Sequence, residues 1–231
     1  MLKRLISIAI IISWVLAASM VSANTVSLAY RGVTDAGTPT IWDPAANNNA
    51  GGWVTVYAGN YTISYSTAPD IIIKGYCVDP HDTYTKGAYT AYDLQPIVKG
   101  SGFEAAAWVL SQGYGATLAA AAQVAVWELV WDWAQNRPFD LASGDSRVQN
   151  PTPSFVSEVE TIYGAALAGI GPNFDASRYV LAANPVPGGT TNYQDFVVPN
   201  PNPTPLPATI LLLGSGLLGL VVLRRRKKAA S

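Results

Sequence analysis

One cysteine in 231 residues rules out an internal disulfide framework, so any fold this chain adopts must rest on an apolar core. The first residues place that cysteine, Cys77, outside the cytosol. Lys3 and Arg4 precede an apolar run from Leu5 to Ala18, and Val21-Ser22-Ala23 forms a small-x-small cleavage site. That is the pattern of a secretory signal peptide over residues 1–23, with a mature chain from Asn24. A lone exported thiol pairs with another molecule, oxidises, or is masked by chemistry that keeps it unreactive.

The other end also carries an address. Residues 199–207 are a Pro/Asn/Thr linker, expected to be extended. Ala208 to Leu223 follow without a charge, and Arg224, Arg225, Arg226, Lys227 and Lys228 close the segment. Sixteen apolar residues fall slightly short of the roughly 20 that span a bilayer. The basic cluster holds its own side cytoplasmic and leaves the body outside. This tail resembles the PEP-CTERM sorting signal of Gram-negative bacteria, in which a Pro-x-Pro motif precedes a short hydrophobic helix and a basic end. Here the motif is Pro205-Leu206-Pro207, with Leu206 where glutamate is usual. The resemblance implies an exosortase-like sorting enzyme as partner. It also implies transient inner-membrane anchoring of residues 208–231, then delivery to the cell surface or extracellular matrix.

Residues 24–198 remain for one domain, enough for a single core. All 15 acidic residues lie in the body, whereas seven of the 14 basic ones lie in the two end segments. The body therefore carries a net charge of −8 with His81 neutral. A nucleic-acid partner is excluded on that balance, since such binding needs clustered basic side chains.

The hydrophobic pattern reads as strands, then helices, then strands. Strands are expected over 25–31, 53–57, 61–66, 70–78 and 88–94, with the second and third joined at Gly59-Asn60 as a hairpin. Helices are expected over 103–112, 116–135 and 153–168, the last with Thr152 as N-cap and Pro153 in its first turn. Strands return at 178–182 and 193–198. The expected class is α+β: an antiparallel, sandwich-like sheet with inserted helices, flanked by the signal peptide and the C-terminal hydrophobic helix.

One residue breaks the pattern of the long helix. Ala119, Ala120, Gln123, Trp127, Val130 and Trp131 share a face that is apolar except for Gln123. A buried amide without partners costs about 1–3 kcal/mol. Condensing it with a thiol would expel ammonia and remove that demand. Cys77 sits near the end of an apolar strand, between Tyr76 and Val78. By itself it reads as a buried small hydrophobe.

Gly75-Tyr76-Cys77-Val78-Asp79 followed by Ala122-Gln123-Val124-Ala125-Val126-Trp127 resembles the signature of bacterial thioester domains. The resemblance covers residues 70–132 and departs from the family at Ala122, where threonine is usual. It implies an intramolecular thioester between the Cys77 thiol and the Gln123 side chain. Tyr76, Ala125 and Trp127 match the supporting positions. It further implies single-use acyl transfer to an amine-bearing surface or matrix partner, with no cofactor and no turnover. Glu128 and His81 are candidate proton carriers.

Three other readings compete. A cysteine hydrolase could draw on Cys77, His81 and Asp82 or Asp93, but His81 follows Cys77 locally instead of meeting it through the fold. Asp79, His81 and Asp82 lack the spacing of a zinc or calcium site, and no metal is expected. A passive matrix protein could bind carbohydrate through Trp53, Trp108, Trp131 and Trp133.

Overall fold

The computed structural model describes residues 24–43, 51–79, 86–184 and 194–201. The chain divides into two units, Met1–Pro199 and Asn200–Ser231, and the first holds all the elements below. Strands β1 (Asn24–Gly37), β2 (Thr40–Asp43), β3 (Gly52–Thr55), β4 (Ala58–Tyr65), β5 (Ala68–Cys77) and β6 (Tyr89–Pro96) come first. Helices α1 (Gly102–Gln112), α2 (Ala119–Trp127) and α3 (Pro153–Gly169) follow, then β7 (Tyr179–Ala183) and β8 (Phe196–Pro199).

The sheet corrects the expectation of a sandwich. Six strands close into an antiparallel barrel in the order β1-β4-β5-β8-β7-β6, and β2 pairs with β3 apart from it. Closure depends on two strands. β1 is long enough to pair with β4 on one side and β6 on the other, and Leu28 and Ala29 have a partner on each. β8 joins β5 to β7, with Val197 opposite both Tyr76 and Leu181. A barrel removes sheet edges that would otherwise invite pairing with other chains. The hydrophobic helix expected at 208–231 lies outside the described residues. Among those described, no helix is long and apolar enough to cross a membrane.

The expected hairpin at Gly59-Asn60 is also corrected. Both residues lie inside β4, and β3 turns instead to β2, where Trp42 meets Trp53 edge-on at 5.5 Å. Gly59 marks a close approach of backbones: a Cβ there would stand 2.8 Å from the Thr34 carbonyl oxygen.

Two cores result. Leu28, Tyr61, Ile63, Tyr92, Phe196 and their neighbours fill the barrel, while α1, α2 and α3 pack a second core that includes Tyr76 and Val78. Strand alternation at the end of β5 thus sends Tyr76 and Val78 to the helices and the Cys77 side chain into the barrel core.

The helix caps follow their sequence signals. Ser101 accepts the Glu104 N–H, Glu104 accepts the Gly100 N–H in return, and Gly113 ends α1 in the left-handed region. Thr152 accepts the Phe155 N–H at the start of α3. The helix expected over 116–135 is instead α2, a five-residue π-turn (Glu128–Asp132) and a 3-10 turn. At that widened turn Asp132 accepts the N–H groups of Asp145 and Ser146 and pairs with Arg137 at 2.9 Å. Gly144 (φ +84) lets the 140–146 loop fold onto it, since a Cβ there would run into the Asp132 carboxylate.

Candidate functional site

Cys77 ends β5 just past its ladder with β4, whose last pair there is Tyr61 with Gly75. The Val78 N–H turns toward β8 and donates to the Asp195 carbonyl. Alternation therefore leaves the Cys77 N–H and C=O on the opposite side, where the β4 ladder has already ended. Buried backbone groups must be paired, and here a side chain pairs them. The Cys77 N–H donates to Gln123 Oε1 at 3.1 Å, and Gln123 Nε2 donates to the Cys77 carbonyl at 2.6 Å. Only one orientation of the carboxamide satisfies both bonds, so the network fixes which end is oxygen.

Cys77 and Gln123 are both 0% exposed. They meet across 46 residues because α2 can lie close to the barrel. On the Gln123 face, Ala120 comes so close to β1 that a Cβ at Gly37 would stand 2.9 Å from the Ala120 Cβ. Two further turns of the same face continue over β5. Trp127 is 2% exposed, and Trp131 Nε1 donates to the Val78 carbonyl at 2.7 Å. Tyr76 packs into the helix-side core beside them.

The thiol donates to the Asp79 carbonyl at 3.1 Å. Burial pushes the Cys77 thiol well above its usual range, and the nearby Asp79 and Asp195 carboxylates push the same way. The Asp79 backbone and the Trp127 indole pull it back in part. Trp127 Nε1 is buried and makes no hydrogen bond of ordinary geometry.

Glu128 is 0% exposed, and its surroundings are different ones. Burial raises its carboxyl to about 8, and the charge of Asp132 adds to the rise. Ser146 Oγ and the Asp140 backbone oppose the shift without forming bonds of ordinary geometry. The groups that act on Cys77 are Asp79, Trp127 and Asp195, while those that act on Glu128 are Asp132, Ser146 and Asp140. The 80–85 segment, with His81 and Asp82, lies outside the described residues. Asp93 accepts a bond from Thr25 at 2.8 Å on the exposed barrel surface. No group of three metal-ligating side chains occurs among the described residues. Asp195 and Ser146 had no signal in their local sequence, because strand β8 and the 140–146 loop bring them in from a distance.

The geometry bears on acyl chemistry in two ways. Any nucleophile adding to the Gln123 carbonyl drives negative charge onto Oε1, and the Cys77 N–H already points at that oxygen. The nitrogen that would leave is held by the carbonyl of the residue that carries the thiol. The clasp is to the Cys77 backbone, while the Cys77 side chain lies in the barrel core.

Residues 203–227 match the PEP-CTERM protein-sorting motif. The chain carries a PEP-CTERM sorting signal. That signal marks an exported protein recognised by an exosortase, and it takes in the Pro205-Leu206-Pro207 motif and the cluster from Arg224 to Lys227. The match lies outside the segment that holds Cys77 and Gln123. No curated protein and no solved structure matches the chain.

Proposed function

We propose that this exported, PEP-CTERM-sorted protein forms an internal thioester between Cys77 Sγ and Gln123 Cδ and uses it once to acylate a primary amine on a surface or matrix partner. The observation that carries the reading is the double clasp of the Gln123 carboxamide on the Cys77 backbone. Formation replaces the S–H and C–N bonds by a C–S bond and releases ammonia. The Cys77 N–H keeps its hold on the acyl oxygen, and only the Nε2 bond is given up. A buried thiol with a raised pKa supplies little thiolate, so proximity must compensate for slow ionisation. That is acceptable for an event that happens once per molecule. No turnover and no cofactor enter the scheme.

A second reading has its own support. Both Gln123 polar atoms and both Cys77 backbone groups are satisfied by the intact amide. In that reading Gln123 is a stand-in for a missing strand, and the protein is a passive matrix component. Methylamine separates the two. A thioester takes up one methylamine at Gln123 and releases one titratable thiol, and Cys77→Ala does neither. No incorporation into freshly purified protein would favour the brace.

The sorting signal carries its own expectation. Deleting residues 205–231 should release the protein into the medium, measured by immunoblot of cell and supernatant fractions. Unchanged cell association would remove the surface-anchoring role of the tail.

A further inference from the structure

Barrel closure is short at the seam between β5 and β8. Tyr76 pairs with Val197 and Cys77 with Phe196, and the Val78 N–H adds one bond to the Asp195 carbonyl. Two residues further in the same register, Pro199 falls opposite Lys74. Proline has no N–H to donate, and the Pro199 carbonyl accepts the Tyr65 hydroxyl at 2.9 Å instead. The ladder stops there. On the other side of β5 the register with β4 slips between Ile72 and Ala68, so residues 69–71 have no β4 partner.

An open stretch of strand edge results. The Val78 N–H faces β8, so alternation puts the N–H and C=O of Ile72 and Lys74 on that same side. The side chains are uncovered as well. Ile71 is 60% exposed and Ile72 53%, and both Asp70 and Lys74 are exposed. An exposed apolar edge is a template for another strand. Pro69 ends it, again for want of an N–H.

The order of the residues selects the strand that fits. Asp70-Ile71-Ile72-Ile73-Lys74 reads acid, three isoleucines, base. Laid antiparallel on a second copy of itself, with Ile72 opposite Ile72, it sets Asp70 opposite Lys74 at both ends. Ile71 then meets Ile73 of the second copy, and Ile73 already packs against the barrel core. An in-register parallel arrangement would set acid on acid and base on base. Unlike charges directly opposite each other stabilise paired strands, and like charges destabilise them. The antiparallel contact is isologous, so it closes at two copies.

We propose that the 70–74 edge of β5 pairs antiparallel with the same edge of a second copy of this chain, on a two-fold axis through Ile72 that sets each Asp70 opposite the other copy's Lys74. The pairing is independent of the Cys77–Gln123 reading.

Light scattering on the mature protein should give twice the mass of one chain, falling to a single mass on dilution. Asp70→Lys sets like charges opposite each other at both ends and should weaken the dimer at least about tenfold. Asp70→Lys/Lys74→Asp restores the complement and should recover the wild-type constant. Both positions are exposed, so the fold itself is not at stake. Ile72→Cys should cross-link readily under mild oxidation, because the axis brings the two thiols face to face and Cys77 is 0% exposed. Ile71→Cys, displaced along the strands, should not.

A single chain mass for the wild type up to about 1 mM overturns the proposal. So does a dimer that Asp70→Lys leaves unchanged, or one that the double substitution fails to restore, since it would be held elsewhere. Equal cross-linking through positions 71 and 72 overturns the register.

Discussion

Glu128→Gln should stabilise this protein above neutral pH. The carboxyl is raised from 4.5 to about 8 in the folded state, by burial first and by the charge of Asp132 second. The sign follows from proton counting. Between pH 4.5 and 8 the unfolded chain has released the Glu128 proton and the folded chain still holds it. The unfolded state therefore binds fewer protons, and stability falls as pH rises through that window. Below it the effect vanishes, and above it the penalty is constant, on the order of 4 kcal/mol. Glutamine removes the ionisation but leaves an amide short of partners, which returns about 1–3 kcal/mol. The expected net gain at pH 8.5 is about 1–3 kcal/mol, with no gain or a small loss at pH 4. Urea midpoints at both pH values, at unchanged m, measure it. An equal shift at the two pH values would mean that Glu128 is not held protonated.

Gln123→Ala should cost more than any other change to this face of α2. It strands the Cys77 N–H and C=O in a fully buried site and removes four heavy atoms from the core. Two unsatisfied buried groups and the lost packing together come to about 3–5 kcal/mol. Cys77→Ala leaves the clasp intact and removes one sulfur, for about 1–2 kcal/mol. Chemical denaturation of the two variants tests the order. A Gln123→Ala loss equal to or below that of Cys77→Ala would contradict the clasp.

The pairing of residues 77 and 123 was legible because each broke a local rule. Gln123 was the one polar group on an apolar helical face, and Cys77 the one thiol in an exported chain. Neither fact identified the contact as backbone to side chain, which depends on where the β4 ladder stops. Barrel closure left no comparable mark. It depends on β8, four residues long and far from β5 in sequence, and on β1 serving two neighbours. Gly59 misled because glycine serves both turns and close backbone contacts, and only the position of β1 decides between them. The long helix read as continuous because a π-turn keeps apolar residues roughly in phase. Its carboxylates, Glu128 and Asp132, gain meaning only once the 140–146 loop folds over them.

The proposed thioester joins Cys77 Sγ to Gln123 Cδ. The most direct measurement is the intact mass of the mature protein, purified without amine buffers. The expected mass lies about 17 Da below that of the unmodified sequence, the ammonia lost on acylation of the thiol, and Cys77→Ala shows no such deficit. Full mass, with one thiol that titrates after denaturation and no uptake of methylamine, would contradict the thioester and leave Gln123 as a brace.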